Sequence, residues 1–298
     1  MSISLIILPI FVLILMGWSA RRWVQRDEAF WRGLERLIYF VFFPSLLFHT
    51  LSHAPLNFQD AIPMLLVGVG YTVAGMGLGY LSKFLFRDPP RVFAAAFQCS
   101  FRFNSYVGLA VAGAMHGQAG IAAIGLLMGF LVPLANVAAV SVLARHGEGD
   151  WLKSILGNPL ILATAGGVAF AQAGLVLPAT VDATLELLAR ASLPLGLIAV
   201  GAGMRFRGLD HARGHLWYGV GIKLVVLPAI AWLMGQLAGL SGIWFDTALL
   251  LAALPHSTVA YLLAVRMGGD GQVTANQITL TTLLSMVTLP VWLSLVHG

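Results

Sequence analysis

Charge is what this sequence has least of. Only 10% of its 298 residues are Asp, Glu, Lys or Arg, where a soluble domain carries roughly a quarter. So few charges cannot cover the surface of a water-soluble globule of this length. Cysteine is nearly absent too. The single Cys99 excludes an intrachain disulfide and a cysteine-built redox or metal centre, and it reads as a small buried apolar residue. No Walker loop, HExxH motif or strand-borne GxSxG is present, so neither ATP hydrolysis nor these hydrolytic chemistries has a sequence basis. The pattern implies no enzyme activity, no cofactor and no metal. A cleavable signal peptide is not expected either, because the apolar stretch from Ser2 to Ala20 precedes its basic residues, Arg21 and Arg22, instead of following them.

What is present is apolar. The hydrophobic fraction is 59% and the mean hydropathy is +0.88, the composition of a chain whose solvent is lipid. A spanning helix needs ~20 apolar residues. Charge-bounded windows place ten spans: Ser2–Ala20, Leu37–Leu56, Ala61–Ser82, Val92–Met115, Ala119–Ala144, Ser154–Gln172, Ala183–Met204, Leu216–Ala238, Thr247–Val265 and Val273–Val296. The fourth and fifth are divided at His116-Gly117-Gln118, because the uncharged stretch from Phe103 to Ala144 is too long for one crossing.

The charges that remain alternate. Arg21, Arg22, Arg26, Arg32 and Arg36 follow span 1, and Lys83, Arg87 and Arg91 lie between spans 3 and 4. Arg145 and Lys153 follow span 5, Arg205, Arg207 and Arg213 follow span 7, and Arg266 follows span 9. Only Arg102, Arg190 and Lys223 fall inside spans, so the even-numbered connections carry no basic residue. The positive-inside rule therefore puts the odd-numbered connections in the cytoplasm and both termini outside. The net charge of +5 is spread thinly between apolar spans and makes no nucleic-acid surface.

The chain also reads as five spans used twice, residues 1–149 and 150–298. Glu35, Pro44, Tyr106 and Pro133 recur as Glu186, Pro194, Tyr261 and Pro290 in the same order. Five is odd, so the second half enters the membrane in the opposite sense, the inverted repeat of many secondary transporters. The fold class is thus an all-α integral membrane protein of ten helices, with interruptions in spans 4 and 9. In span 4, Arg102-Phe103-Asn104-Ser105-Tyr106 and a glycine at 108 place polar groups near mid-depth. In span 9, Pro255-His256-Ser257-Thr258 does the same, with Pro255 removing a backbone donor. Interrupted helices in matching positions mark a transporter binding site.

Arg102 and Lys223 have no acidic neighbour in sequence, whereas Glu186 stands four residues before Arg190 and pairs with it on one helical face. Two roles are open for Arg102 and Lys223: binding an anionic substrate, or bonding carbonyls at broken helices. His256 is either a proton carrier or a neutral hydrogen-bonded histidine. Its neighbour Ser257 is a poor nucleophile–base partner, because adjacent residues do not face each other on a helix. His49 and His116 read as structural, Gly68, Gly75 and Gly79 as helix-packing positions, and Trp18, Trp244 and Trp292 as interfacial anchors.

Arg102-Phe-Asn-Ser-Tyr-Val-Gly-Leu-Ala, Ala253-Leu-Pro-His-Ser-Thr-Val-Ala-Tyr and Thr281-Thr-Leu-Leu-Ser-Met-Val-Thr-Leu-Pro resemble the auxin efflux carrier family, and the resemblance covers essentially the whole chain. It implies a bile-acid–sodium symporter-like fold with a scaffold of spans 1, 2, 6 and 7. The transport domain would be spans 3–5 and 8–10, moving as an elevator. Plant relatives export the carboxylate auxin, and bacterial relatives are associated with malonate, malate and similar acids. The expectation is a bacterial inner-membrane (cell-membrane) secondary carrier or uniporter of a small organic anion; an anion sensor that binds without transport is the other class. Its partners would be that anion and the bilayer, and a homodimer through the scaffold is compatible with the pattern. Expected substrate residues are Arg102, Asn104, Ser105, Tyr106, Lys223, Pro255, His256, Ser257 and Thr258, with His256 as proton carrier. Two departures stand out: no proline lies between Pro90 and Pro133 to break span 4, and no acidic residue near the breaks would hold sodium.

The orientation is directly testable. In a Cys99→Ser background, Gln118→Cys is expected to react with an impermeant maleimide from outside intact cells, and Glu148→Cys only after the cells are opened. The reverse labelling would invert the topology.

Overall fold

A computed structural model describes residues 3–53, 61–143, 159–205 and 212–297. All regular structure among these residues is helical. In chain order the elements are α1 (Ile3–Trp23), α2 (Glu28–Leu37), α3 (Phe43–Ser52), α4 (Ile62–Leu85), α5 (Pro90–Cys99), α6 (Ser105–Leu143) and α7 (Pro159–Gln172). There follow α8 (Ala179–Gly203), α9 (Arg213–Gly221), α10 (Leu227–Leu237), α11 (Gly242–Ala253), α12 (Val259–Arg266) and α13 (Gly271–His297). Seven helical stretches among the described residues are long and apolar enough to cross a membrane, and α7 and α11 are shorter apolar helices. Large apolar side chains such as Leu66, Phe84, Leu187 and Val287 point outward, as a lipid-facing exterior requires.

Local chemistry explains where the helices bend. α2 joins α3 through a π-helical turn, Ile38–Phe42, and α9 joins α10 through another, Ile222–Val226. Each turn immediately precedes a helix with proline at its second position, Pro44 and Pro228. A proline lacks the N–H for the carbonyl four residues back and crowds that carbonyl, and the wider turn absorbs the misfit. The carbonyl that Pro228 leaves free belongs to Leu224, and the Trp292 indole donates to it at 2.8 Å. Trp292 therefore ties α13 to the α9–α10 bend.

α6 is 39 residues long, about twice what a bilayer needs, and it leaves helical geometry at Gly117 (φ 59°, ψ −141°). Only glycine takes that conformation readily, and it lies within the His116-Gly117-Gln118 break expected from the sequence.

Glycines set the closest helix approaches. A Cβ on Gly17 of α1 would strike the backbone of Ile198 in α8, and one on Gly201 of α8 would strike that of Ile14 in α1. α7 meets α3 the same way, Gly167 lying against Phe48 and Leu51. In α4, Gly68 faces Leu127, while Gly75 and Gly79 receive Ser100, which supports their reading as packing positions. The expected Glu186–Arg190 pair is present at 2.5 Å, and Cys99 is buried. Arg21 donates to the Ala202 carbonyl at 2.7 Å and anchors α1 against the end of α8.

Gly201→Val is expected to lower stability by about 1–3 kcal/mol or to prevent folding, because the added atoms meet backbone that cannot yield. Gly33→Ala, in open space, should match or slightly exceed wild type. Thermal unfolding of the detergent-solubilised protein checks both; equal melting of Gly201→Val and wild type would contradict the close approach.

Candidate functional site

Two helix interruptions face each other. The first occupies residues 100–104, between α5 and α6, and the second residues 254–258, between α11 and α12. The first lies earlier than the sequence expectation of Arg102 to Gly108: residues 105–108 are already helical. With no proline there, a side chain makes the break. Asn104 Oδ1 accepts from the backbone N–H groups of Tyr106 and Val107 at 3.1 and 3.3 Å and caps the start of α6. The Asn104 N–H itself donates to the carbonyl of Pro255 at 2.9 Å, joining one break to the other.

Surrounding side chains bond backbone at and beside the breaks. Gln98 Nε2 donates to the Ala260 carbonyl at 3.0 Å, and the His256 N–H donates to Thr281 Oγ1 at 3.1 Å. Lys223, fully buried in the α9–α10 π turn, donates to the Ala252 carbonyl at 3.0 Å. That carbonyl is in the last turn of α11, where carbonyls lack helical partners and the helix dipole favours a cation.

Beside the crossing lies a cleft of about 260 Å³ lined by Ser105, Tyr106, Ser257, Thr258 and Val259 on one wall and Tyr39, Phe43 and Leu160 on the other. Phe43 and Tyr106 meet there with ring centroids 4.5 Å apart and planes tilted by 49°. Both wall segments on the crossing side are helix starts: Ser105 opens α6, and Thr258 caps α12. The positive ends of two helix dipoles thus meet a small, hydroxyl-lined space with no carboxylate in its lining.

Of the residues singled out from sequence, the structure brings Ser105, Tyr106, Ser257 and Thr258 together at this cleft. Asn104 and Pro255 form the crossing behind it. Arg102, His256 and Lys223 are buried and do not line it. Arg102 Nη1 has no hydrogen-bond partner among the described residues. Neither does either ring nitrogen of His256, although the Arg102 backbone lies beside the ring. Neither Arg102 nor Lys223 has an ion pair to an acidic side chain among the described residues. Sequence reading missed Tyr39, Phe43 and Leu160; an aromatic or leucine in an apolar run carries no local signal of what it will face.

The same reading left the histidine partners open. His116, at the end of the first half of α6, meets the buried Asp246 of α11 at 2.7 Å, and His215 of α9 meets Asp88 at 2.7 Å. The first pair ties α6 to α11, and the second ties α9 to the segment before α5.

The membrane transport protein family's sequence profile, an auxin efflux carrier-like family, matches residues 2–148 and 141–293. The chain belongs to that family. Among its family relatives, a "Putative malonate transporter" of Rhizobium meliloti (strain 1021) is 26% identical over 309 residues, covering 100% of this chain and 97% of the relative. An "Uncharacterized transporter" of Methanothermobacter thermautotrophicus is 25% identical over 293 residues and 96% of both chains. "Uncharacterized transporter YfdV" of Escherichia coli (strain K12) is 22% identical over 306 residues, covering 96% of this chain and 95% of the relative. This family member is accordingly a multi-pass membrane protein of a transporter family.

Asn104→Ala in this transporter-family chain should cost about 0.5–2 kcal/mol through the lost cap, while Asn104→Asp, which keeps an acceptor, should lose less. Thermal melting of the two variants checks the order; Asp falling below Ala would argue against the cap.

Proposed function

We propose that the chain is an alternating-access carrier of a small organic anion, a mono- or dicarboxylate, bound at the cleft beside the crossing. The observation that carries this reading is the convergence of two half-helix starts on a small hydroxyl-lined cleft that holds no carboxylate. Ser105, Ser257 and Thr258 position the carboxylate, and Tyr106 packs against it. Arg102 and Lys223 supply positive potential from behind the cleft wall, and buried charge of that sign at mid-depth favours an anion. Asn104 and Pro255 keep the two half-helices aimed. His256, in the break beside the Arg102 backbone, is the proton carrier of this reading. The name of the Rhizobium meliloti relative puts malonate first among the acids to try.

The packing supports the inverted repeat and the ten spans. Counting α2–α3, α5 with the first part of α6, the second part of α6, α9–α10 and α11–α12 each as one crossing gives ten with α1, α4, α7, α8 and α13, and α1 packs on α8 as α7 packs on α3. The self-related pairs also meet: α3 with α8, α4 with α10, and the two breaks with each other. A pseudo-twofold relation between residues 1–149 and 150–298 would account for this set of contacts. The cleft then divides a scaffold side (Tyr39, Phe43, Leu160) from a transport side (Ser105, Tyr106, Ser257, Thr258), where an elevator would need its substrate.

Reconstituted protein is expected to take up labelled malonate, malate or an aromatic acid, faster under an imposed pH gradient. Ser257→Ala and Thr258→Val should each lower uptake about 10-fold, the value of a hydrogen bond to a charged group. Arg102→Gln should lower it further while the protein still folds. Uptake unchanged by all three would remove the cleft from the pathway. Binding of an acid without uptake would instead support the anion-sensor reading.

A further inference from the structure

Away from the crossing, two histidines and an aspartate meet where the end of α3 touches the start of α8. His49 Nε2 lies 3.2 Å, and His53 Nε2 3.4 Å, from the same oxygen, Asp182 Oδ1. The three donor atoms lie within 4.8 Å of one another. The histidines are four apart, so both project from one face of the helix end, and Asp182 is in the first turn of α8.

The hydrogen bonds around this group leave its centre rich in lone pairs. His53 Nδ1 is 2.8 Å from the His49 carbonyl, an oxygen that can only accept, so Nδ1 carries the hydrogen. In the neutral ring Nε2 then presents a lone pair towards Asp182. Ser52 Oγ donates to the same carbonyl at 3.0 Å and stands 3.2 Å from Nδ1, completing an outer shell that fixes the ring. Asp182 Oδ1 is shielded from solvent and lies off the N–H direction of both rings, so neither contact is an aligned hydrogen bond and a cation between the three groups would meet all of them.

Two of the three donor spacings fit a zinc ion. Ligands ~2.0–2.1 Å from a tetrahedral zinc ion are about 3.3 Å from each other, and the two nitrogen–oxygen distances here are 3.2 and 3.4 Å. Two imidazoles and a carboxylate are a donor set that zinc accepts, whereas magnesium and calcium prefer all-oxygen shells. His49 is largely enclosed, with 13% of its side chain exposed, while His53 is 51% exposed, leaving an open side for entry and a fourth, water ligand.

We propose that His49, His53 and Asp182 form a zinc site that clips the end of α3 to the start of α8. This departs from the sequence expectation of no metal, because Asp182 stands far from the histidine pair in sequence and only the helix packing brings it there. The proposal does not depend on the transport reading, and its test measures no transport.

The experiment uses the full chain, purified in detergent with any affinity tag removed and stripped with a chelator. Zinc is titrated by calorimetry, and cobalt(II) serves as a visible probe of the ligand field. Binding of one ion per chain at micromolar concentration or tighter is expected, with cobalt absorption bands of a four-coordinate nitrogen–oxygen site. His53→Ala and Asp182→Asn should each weaken binding at least about tenfold. Zinc should raise the melting temperature of the wild type and leave that of a His49→Ala/His53→Ala variant unchanged. Stoichiometric binding absent below ~100 μM in the wild type overturns the proposal whatever the variants do. So does tight binding that survives in folded His53→Ala, since the ion would then sit elsewhere.

Discussion

Backbone inside a membrane has no water to bond, so each interruption of a helix must be satisfied by protein. The Asn104 N–H to Pro255 carbonyl bond, at 2.9 Å, is where this chain meets that demand twice at once. Each break supplies the group that the other lacks. Side chains from outside the crossing add to it: Gln98 reaches Ala260, Thr281 takes the His256 N–H, and Lys223 takes the Ala252 carbonyl. Without this closure, unwound segments at that depth would leave polar groups unpaired, each costing several kcal/mol.

The closure has an electrostatic consequence. Ending α5 and α11 at the crossing and restarting the chain as α6 and α12 places two positive dipole ends side by side. Lys223 neutralises the opposite, negative end of α11, so the local field near the cleft stays positive. Arg102 adds a second buried cation without an acidic partner among the described residues. A lipid-embedded protein keeps such charge only where it serves a fold or a ligand. Here one lysine serves the fold through a carbonyl, and the hydroxyls of Ser105, Ser257 and Thr258 stand where a ligand would reach the field.

Rigidity is distributed unevenly around that cleft. On one side, glycine-mediated contacts bring α1 to α8 and α7 to α3 almost backbone to backbone, and such packing leaves little freedom to slide. On the other, Gly75 and Gly79 of α4 receive Ser100, His116–Asp246 ties α6 to α11, and His215–Asp88 ties α9 to the segment before α5. Between the two sides, Phe43 meets Tyr106, and Thr50 Oγ1 donates to Gln118 Oε1 at 3.2 Å.

The sequence by itself determined the features that depend on composition and on chemistry within a turn or two. Few charges and long apolar runs dictated membrane helices. Pro255 dictated a break, His116-Gly117-Gln118 a turn, and Glu186 the partner of Arg190. The tertiary structure alone decided what lies across helices. It moved the first break to residues 100–104, because Asn104 and the Pro255 carbonyl do together what a proline would have done alone. It placed Tyr39, Phe43 and Leu160 on the cleft, withdrew Arg102 and Lys223 from its surface, and gave His49 and His53 their aspartate. The physical reason is range: helix-forming and helix-breaking preferences act over about four residues, whereas cleft lining and charge pairing depend on which faces two distant helices turn to each other.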